Sequence, residues 1–159
     1  NPEFLTEKNH IDDFKNPPMH IFGGLDANTN EVEKLYTEHS ICNPCPIYKT
    51  DIVTASMAKY CINSFLATKV TFMNEMYDVL KSAQGCDWRT FTKIIQSDPR
   101  MGKTHMKVPG NDGQRGYAGS CFPKDTNALA WFARERLNKP FTQLETSIKI
   151  NDNLRKTDV

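Results

Sequence analysis

Apolar residues recur every three or four positions through a long segment in the middle of the chain. No glycine or proline occurs between Asp51 and Gly85, which allows a helix of about thirty residues. One apolar stripe with helical spacing comprises Ile62, Leu66, Val70, Met73, Met76 and Leu80. A second stripe comprises Phe65, Phe72 and Val79. Because so much of its circumference is apolar, this helix is expected to pack on two sides, with a second subunit as one partner.

The C-terminal half alternates between helices and a glycine-rich loop. A shorter helix is predicted to begin with Asp87, Trp88 and Phe91 and to end before Pro99. Residues 102–120 contain glycines at 102, 110, 113, 116 and 119 and predict a loop. Pro123 suits the first turn of a helix that continues to Asn138. The apolar spacing in residues 141–156 predicts a last helix.

The first fifty residues have a mixed α/β character. Residues 20–24, HIFGG, follow two prolines and predict a short buried strand. Asn30 has the character of a helix N-cap with Glu33 as its capping-box partner, so a helix is expected to follow. The sequence CNPCP at 42–46 ends that helix, because two prolines within three positions cannot continue it. This stretch is the best candidate for a domain boundary.

Composition excludes several classes of protein. The 159 residues carry 20 basic and 19 acidic side chains, whereas a nucleic-acid module normally shows a basic excess. The mean hydropathy is −0.58. No uncharged apolar run approaches the ~18 residues that cross a bilayer. Five cysteines, an odd number, and no leader pattern predict a reducing, cytoplasmic setting. Because the chain opens on Asn1 and not on Met, we expect a piece of a longer protein.

Residues 119–125, GSCFPKD, carry the strongest chemical signal. The glycines before this segment let the backbone turn tightly and let a ligand approach closely. Because Pro123 begins a helix, Cys121 lies just ahead of a helix N-terminus, whose positive end, with Lys124, favours a thiolate. A thiolate is the nucleophilic form, and Asp125 is placed to cap the helix or to act as a base on water. The alternative is an ordinary buried cysteine in a glycine-rich turn.

Two polar pairs are spaced by four residues, so each pair shares one face of a helix. Lys59 and Asn63 lie among apolar neighbours, where an ammonium and an amide stabilise a developing oxyanion. On spacing alone, a lysine whose stem packs while its ammonium reaches water is the simpler interpretation. Glu3 and Glu7 are able to divide acid–base work, although a pair of solvated charges is commoner.

Cysteines and a histidine near the predicted boundary suggest a metal or redox site. His39, Cys42 and Cys45 are soft ligands at short spacing. A structural zinc site needs four ligands, and the other three cysteines are scattered, so we expect no metal. The glycine-rich loop contains neither a dinucleotide fingerprint nor a Walker sequence, and with Arg100 and Arg115 it is only a weak candidate for an anion site.

Four segments, read together, resemble the UDP-glucose/GDP-mannose dehydrogenase family. Residues 1–7, NPEFLTE, resemble its NPEFLxE segment. Residues 59–67, KYCINSFLA, resemble its KxxxNxFLA helix, which the NE pair at 74–75 follows as the family pattern requires. Residues 98–102, DPRMG, resemble its DxRxG turn. Residues 118–125, AGSCFPKD, resemble its GGxCFPKD signature with one glycine changed, and the motifs occur in the family's order.

The resemblance implies a mainly α fold, with a long central helix in a helical dimerisation domain and a short α/β remnant of a Rossmann NAD-binding domain before it. Residues 1–48 would be the C-terminal part of the NAD-binding domain, and residues 49–159 the central domain for dimerisation and catalysis. The glycine-rich NAD fingerprint and the domain that grips the nucleotide are then expected outside this chain. The implied partners are NAD, a nucleotide sugar, and a second copy bound through the long helix.

The family's chemistry implies a role for each matching catalytic residue. The family oxidises the C6 alcohol of a nucleotide sugar to a carboxylate, with two NAD⁺ and one water. Cys121 is expected to attack the C6 aldehyde, giving a thiohemiacetal and then a thioester. Lys59 and Asn63 are expected to hold the C6 oxygen. Asp125 is expected to position or deprotonate water, and Glu7 to assist hydrolysis of the thioester.

Further matching residues are implied for the substrate and the cofactor. The substrate set comprises Glu3, Phe4, Leu5, Arg100, Tyr117, Gly119 and Phe122. Glu3, Phe4 and Leu5 are expected to line the sugar pocket, and Arg100 to form an anion contact on the dimer-facing side. The loop through Tyr117 is expected to close on the sugar nucleotide. Glu7 and Lys124 are expected to contact the cofactor.

Three departures from the family pattern stand out. Ser56 replaces a usual glutamate, and Ala118 replaces a usual glycine. Cys42 and Cys45 have no counterpart in the pattern. None of these changes affects the expected nucleophile.

The substrate and the class of function leave alternatives. Phe122 and the loop at 109–115 favour UDP-glucose, while the PPM sequence at 17–19 also resembles the GDP-mannose branch. A non-catalytic helical dimerisation module is the alternative from another class. A cysteine hydrolase is a further alternative, with His105 as the partner of Cys121.

Overall fold

The computed structural model describes residues 1–6 and 8–157, so Glu7, Asp158 and Val159 lie outside the described residues. The described chain is mainly helical with a two-stranded parallel sheet, which confirms the predicted fold class. The elements are α1 (His10–Lys15), β1 (His20–Gly23), α2 (Asp26–His39), β2 (Ile47–Thr50), α3 (Ile52–Ser82), α4 (Trp88–Gln96), α5 (Phe122–Trp131) and α6 (Thr142–Thr157). The chain divides into two compact units, residues 1–61 and residues 62–159. Within the described ranges, every helix is too short or too polar to span a bilayer.

The predicted buried strand in the first unit is confirmed as β1. Phe22 in this strand is only 2% exposed, and its ring lies 5.3 Å from the Tyr36 ring of α2. His20 is also buried, and its ring contacts both of these rings. His20 and Phe22 lie two residues apart on the strand and so share one face of the sheet, where they pack against α2.

The sheet has a second strand that the sequence pattern does not reveal. β2 runs parallel to β1, with His20 opposite Ile47. Ile47 and Thr50 are half-buried while the two residues between them are exposed, so no apolar run marks the strand. Pro46 directly precedes it, where a missing N–H is tolerated.

α2 begins at Asp26, four residues before the predicted start at Asn30. The predicted capping box between Asn30 and Glu33 is wrong, because both side chains have another partner. Lys49 Nζ donates to Asn30 Oδ1 at 2.7 Å and to Glu33 Oε2 at 2.6 Å. The two polar side chains thus face β2, and do not close a turn of their own helix.

α3 confirms the predicted long helix and contains 31 residues. The Asp51 carboxylate caps its first turn by accepting from the Thr54 N–H at 2.9 Å and the Thr54 hydroxyl at 2.6 Å. In the second unit, Met73 of the first apolar stripe is 1% exposed. Phe65 and Phe72 of the second stripe are 69% and 58% exposed in the single chain.

The second unit packs α4 and part of the long loop on α3. Asp87 accepts from Thr90 N–H at 2.6 Å and caps α4, which begins where the sequence predicts. The core cluster comprises Met73, Met106 and Val108, with Tyr77, Trp88, Phe91 and Ile95 packed around it. Residues 102–120 form neither helix nor strand, and α6 confirms the predicted last helix.

α5 differs from its prediction at both ends. It begins at Phe122, so Pro123 lies second in the helix, where its missing N–H is still harmless. The helix was expected to continue to Asn138, but it changes to a π-helical turn at Phe132–Arg136. The Leu137 N–H donates to the Phe132 carbonyl at 3.2 Å, and Asn138 has a φ of 51°, which ends the helix.

Candidate active site

Cys121 lies just ahead of α5, as the sequence predicts, and its side chain is exposed. It occupies the N-cap position, and its carbonyl accepts the first-turn bond from the Asp125 N–H at 2.9 Å. The Ser120 hydroxyl lies 3.7 Å from the Cys121 sulfur. An accessible thiol at the positive end of a helix is a suitable place for a nucleophile.

Asp125 lies one turn after Cys121 and is 1% exposed. Its Oδ2 atom accepts from Asn63 Nδ2 of α3 at 2.5 Å. Its Oδ1 atom forms an ion pair with the Lys124 ammonium at 2.9 Å. A buried carboxylate is therefore fixed on one oxygen by α3 and neutralised on the other by its own helix.

Lys59, in the first unit, donates from its ammonium to the Glu3 carbonyl oxygen at 2.9 Å. The lysine side chain is half-buried, and the Glu3 side chain is exposed. The structure thus brings two predicted site residues of this unit together, through the backbone of Glu3 and not through its carboxylate. Glu7, predicted for catalysis and cofactor contact, lies outside the described residues.

The N-terminal segment lines an open cleft of about 330 Å³ in the first unit. Glu3, Phe4 and Leu5 form part of its wall, and Met19 and His20 also contribute. The three residues predicted to line a sugar pocket therefore do lie on one concave surface.

Tyr117 and Phe122, both predicted for substrate binding, contact each other. Their rings are perpendicular with 6.0 Å between centroids, and Tyr117 is 5% exposed. Burial raises the pKa of Tyr117, and a hydrogen bond with Thr126 partly opposes this. Gly119 has a φ of 84°, a conformation that favours glycine. The loop before Cys121 is thus packed against α5.

Arg100 lies on the surface and pairs with a near neighbour. Its guanidinium forms a fork with the Asp98 carboxylate, with 2.9 Å from Nε to Oδ1. The side chain remains 87% exposed. The hydrogen bonds from Arg100 lower the pKa of Asp98. An exposed, preoriented guanidinium is a suitable contact for an anion.

The alternative sites from the sequence find other partners. The His105 ring lies 5.5 Å from the Phe122 ring, and its Nδ1 lies 2.8 Å from the Thr104 hydroxyl. Cys42 donates to the Phe14 carbonyl at 3.0 Å, and Cys45 is also a free thiol. Residues 1–6 and 8–157 contain no group of three or more His, Cys, Asp or Glu side chains suited to a metal ion.

Residues that motif reasoning does not single out hold the loop before Cys121. Asn151 and Arg155 of α6 both bond to the backbone of Tyr117. Asn151 falls seven residues after the buried Leu144 and four after the buried Ser147, so it lies on the core face of α6. A polar residue at such a position was the available signal, because buried amides need partners.

A comparison with family models matches residues 53–153 to the UDP-glucose/GDP-mannose dehydrogenase family, central domain. UDP-glucose 6-dehydrogenase YwqF of Bacillus subtilis is 39% identical over 154 residues, which cover 96% of this chain and 32% of that protein. GDP-mannose 6-dehydrogenase of Azotobacter vinelandii is 37% identical over 135 residues, which cover 84% of this chain and 29% of that protein. The chain therefore spans about a third of the length of these relatives.

A solved structure supports the same family. A UDP-glucose dehydrogenase from the hyperthermophilic archaeon Pyrobaculum islandicum superimposes with a TM-score of 0.81 at 29% identity, over 96% of this chain and 33% of that one. The family match covers more than half of the chain, and the fold agrees with it. The chain therefore belongs to the UDP-glucose/GDP-mannose dehydrogenase family.

Proposed function

We propose that this chain is the central part of an NAD-dependent nucleotide-sugar 6-dehydrogenase that oxidises UDP-glucose to UDP-glucuronate. The observation that carries the proposal is the start of α5, where the exposed Cys121 thiol precedes the buried Asp125 carboxylate that Asn63 fixes at 2.5 Å. Oxidation through an enzyme-bound thioester needs a thiol, and a carboxylate one helical turn away is able to orient the water that hydrolyses the thioester. Relatives that match most of the chain are UDP-glucose and GDP-mannose 6-dehydrogenases.

Cys121 is the proposed nucleophile. Its thiolate adds to the C6 aldehyde, a carbon–sulfur bond forms, and the oxygen takes up a proton to give a thiohemiacetal. Loss of the remaining C6 hydrogen as hydride, together with loss of the hydroxyl proton, leaves a thioester. Water then attacks the thioester carbon, the carbon–sulfur bond breaks, and the thiol is regenerated beside a carboxylate product. NAD⁺ supplies the hydride acceptor for this oxidation and for the earlier one, in which the C6 alcohol loses a hydride and a proton to become the aldehyde.

Asp125 is the proposed group that orients or deprotonates the attacking water. Its burial keeps bulk water away, and the bond from Asn63 fixes the carboxylate so that it need not reorganise during the reaction. The side-chain amide of Asn63 is also proposed to donate a hydrogen bond to the C6 oxygen. The paired Lys124 offsets the negative charge of Asp125.

Lys59 is the proposed cation that stabilises negative charge on the C6 oxygen. Its bond to the Glu3 carbonyl holds the ammonium in place, because an anchored cation loses less entropy when an anion develops. Glu3, Phe4 and Leu5 are proposed to line the sugar pocket from the cleft that they share. Glu7 is proposed to assist thioester hydrolysis.

The loop and Arg100 are the proposed contacts of the nucleotide sugar. Tyr117, Gly119 and Phe122 present a fixed surface beside Cys121, which suits positioning of the sugar. Arg100 is proposed to contact an anionic group of the substrate, since its guanidinium is exposed and oriented by Asp98.

NAD is the proposed cofactor, but the residues of this chain supply only a small part of its site. The 159 residues contain no dinucleotide fingerprint, so a region outside them is proposed to bind the cofactor. Lys124, whose side chain is 65% exposed, and Glu7 are the proposed contacts from this chain. The five free cysteines fit a reducing, cytoplasmic setting.

A homodimer through α3 is the proposed assembly. Phe65, Phe72 and Val79 are spaced by seven residues and are 69%, 58% and 61% exposed in the single chain. An apolar stripe of this kind on a long helix marks an interaction surface. The molar mass of the complete enzyme in solution, measured before and after Phe65→Asp with Leu66→Asp, tests the assembly.

The test of the catalytic proposal is Cys121→Ser in the complete enzyme with UDP-glucose and NAD⁺. The weaker nucleophile should lower UDP-glucuronate formation by about a thousandfold or more while circular dichroism stays unchanged. Cys86→Ser is the matched control, because Cys86 is also an exposed free thiol. Normal turnover by Cys121→Ser would refute the assignment.

The substrate and the non-catalytic alternative are separated in the same assay. Comparing kcat/KM for UDP-glucose and GDP-mannose decides between the two sugar nucleotides that the relatives' names carry. A complete wild-type protein that oxidises neither sugar would favour the helical dimerisation module.

A further inference from the structure

The backbone N–H and C=O groups of Gly116 and Tyr117 are all bonded to side chains. The Gly116 N–H donates to Asn74 Oδ1 at 3.3 Å, and the Tyr117 N–H donates to Asn151 Oδ1 at 2.7 Å. Arg155 donates from Nη2 to the Gly116 carbonyl at 3.3 Å and from Nε to the Tyr117 carbonyl at 3.2 Å. Three side chains from α3 and α6 therefore fix two consecutive residues of the loop. We refer to Asn74, Asn151 and Arg155 as the loop clamp.

The members of the loop clamp are themselves held in place. Asn74 and Asn151 are only 1% and 6% exposed, so water cannot readily replace the loop as their hydrogen-bond partner. Losing the bonds to the loop would therefore leave buried amides unpaired, which costs free energy. Arg155 also donates from Nη1 to Asp112 Oδ2 and Gln114 Oε1, both at 2.7 Å. Its guanidinium thus bonds four groups of one loop, and a planar fork suits such a pattern better than an ammonium does.

Gly116 shows how closely the loop clamp fits. Its φ is 73°, and a Cβ atom built there would lie 2.5 Å from Asn151 Oδ1. The backbone therefore approaches Asn151 more closely than any other residue would permit.

The clamped residues lie just before the proposed nucleophile in the chain. Tyr117 packs its ring against Phe122, the first residue of α5. Phe122 follows Cys121 in the chain, so Cys121 lies in sequence between the clamped backbone and the first turn of α5. Misplacement of a reacting group by ~1 Å lowers a rate by about a hundredfold.

We propose that Asn74, Asn151 and Arg155 are positioning residues, which set the place of the Cys121 thiol through the backbone of Gly116 and Tyr117. This inference rests on the proposed function for its link to turnover. It assigns to α6 an indirect part in the reaction, because Asn151 and Arg155 bond to the loop backbone and not to the thiol.

The test uses Arg155→Gln and Arg155→Lys in the complete enzyme. Both variants lose the planar fork, so we expect kcat to fall about tenfold or more while KM for NAD⁺ changes less than about twofold. The alkylation rate of Cys121 by iodoacetamide, followed on its peptide by mass spectrometry, should change in parallel. Arg134→Gln is the control, because Arg134 pairs only with Glu135 and Glu145 in the contacts described and should leave both readouts unchanged.

A second pair of variants separates positioning from folding. Asn151→Asp keeps an oxygen that accepts from the Tyr117 N–H and should retain most of kcat, whereas Asn151→Leu loses the acceptor and should not. If Arg155 merely supports the fold, kcat per alkylatable Cys121 will stay normal in the folded fraction, and that result overturns the proposal. So does an Asn151→Leu variant with normal kcat.

Failure of the proposed function would be recognised separately. If the complete wild-type protein has no dehydrogenase activity, the proposed effect of the loop clamp on turnover is refuted. Hydrogen exchange at the Tyr117 amide and the alkylation rate of Cys121 still show whether the loop clamp sets the thiol. Unchanged values of both in Arg155→Gln would overturn the clamp itself.

Discussion

Two segments that we propose to contact the substrate differ in how they are attached to the rest of their unit. Residues 1–6, in the first unit, have three separate attachments: Asn1 Nδ2 to the Tyr36 hydroxyl at 2.6 Å, the Glu3 carbonyl to Lys59 at 2.9 Å, and Thr6 to Asp13. The loop before Cys121, in the second unit, is held on consecutive residues by buried side chains. The first segment is fastened at exposed points and the second along its backbone.

This difference in attachment determines how easily the backbone of each segment is able to change its conformation. An exposed hydrogen bond is readily replaced by water, so its loss costs little. A buried amide that loses its partner costs more, because no water reaches it. The N-terminal segment is therefore suited to adapt to a sugar, while the loop is suited to keep a reacting atom in one place.

The largest expected effect is that of Gly116→Ala. A Cβ atom at residue 116 would lie 2.5 Å from Asn151 Oδ1, and the alanine would have to keep a φ of 73°. Asn151 must therefore move, and the hydrogen bond from the Tyr117 N–H to Asn151 Oδ1 breaks. We expect the opening free energy at Tyr117 to fall by about 3 kcal/mol, from backbone strain and a lost buried hydrogen bond together. Hydrogen exchange at the Tyr117 amide should then accelerate about a hundredfold.

Gly113→Ala is the matched control for this variant. Gly113 has a φ of 80°, but nothing lies within 4 Å of a Cβ built there. The control therefore carries the backbone strain alone, about 1 kcal/mol, and should accelerate exchange at Tyr117 much less. Equal effects of the two alanines would mean that Asn151 moves aside freely and that the loop is no better fixed than the N-terminal segment.

A smaller effect is expected from Tyr36→Phe in the first unit. The variant removes the acceptor of Asn1 but keeps the ring that packs on His20 and Phe22. Because the bond is exposed, we expect a loss of about 1 kcal/mol or less, seen as faster hydrogen exchange in residues 3–5. Tyr48→Phe, at an exposed tyrosine of β2, is the control. An effect as large as that of Gly116→Ala would abolish the contrast between the two segments.

How far the sequence predicts this structure depends on the range of the contacts involved. Local signals predict α3, its neighbour α4 and the place of Cys121, because helical spacing, caps and proline act within one or two turns. The bond between Asn151 and the Tyr117 N–H joins residues 34 positions apart, and no local pattern encodes it. The start of α2 is mispredicted for a similar reason, since Lys49 takes both side chains of the expected capping box.

The smallest expected effect is a dependence on pH in the first unit. Burial lowers the pKa of His20, whose ring contacts the rings of Phe22 and Tyr36. Below the ordinary value of 6.5 the unfolded chain takes up a proton that the folded chain does not. The contribution of His20 is thus fully present above about pH 6.5, and stability falls as pH falls toward its lowered pKa.

Local hydrogen exchange is the suitable measurement for this effect. Burial, with a smaller contribution from Lys69, also lowers the pKa of His105 in the second unit, so a global unfolding curve would mix the two. Protection factors of the Ile21 and Phe22 amides, corrected for intrinsic exchange, should fall between pH 7.5 and 5.5 by less than about tenfold per pH unit. His20→Gln should abolish the decline, and His39→Gln, at an exposed histidine, should leave it intact. A decline that persists in His20→Gln would assign the pH response to another group and leave the first unit's aromatic packing insensitive to protonation.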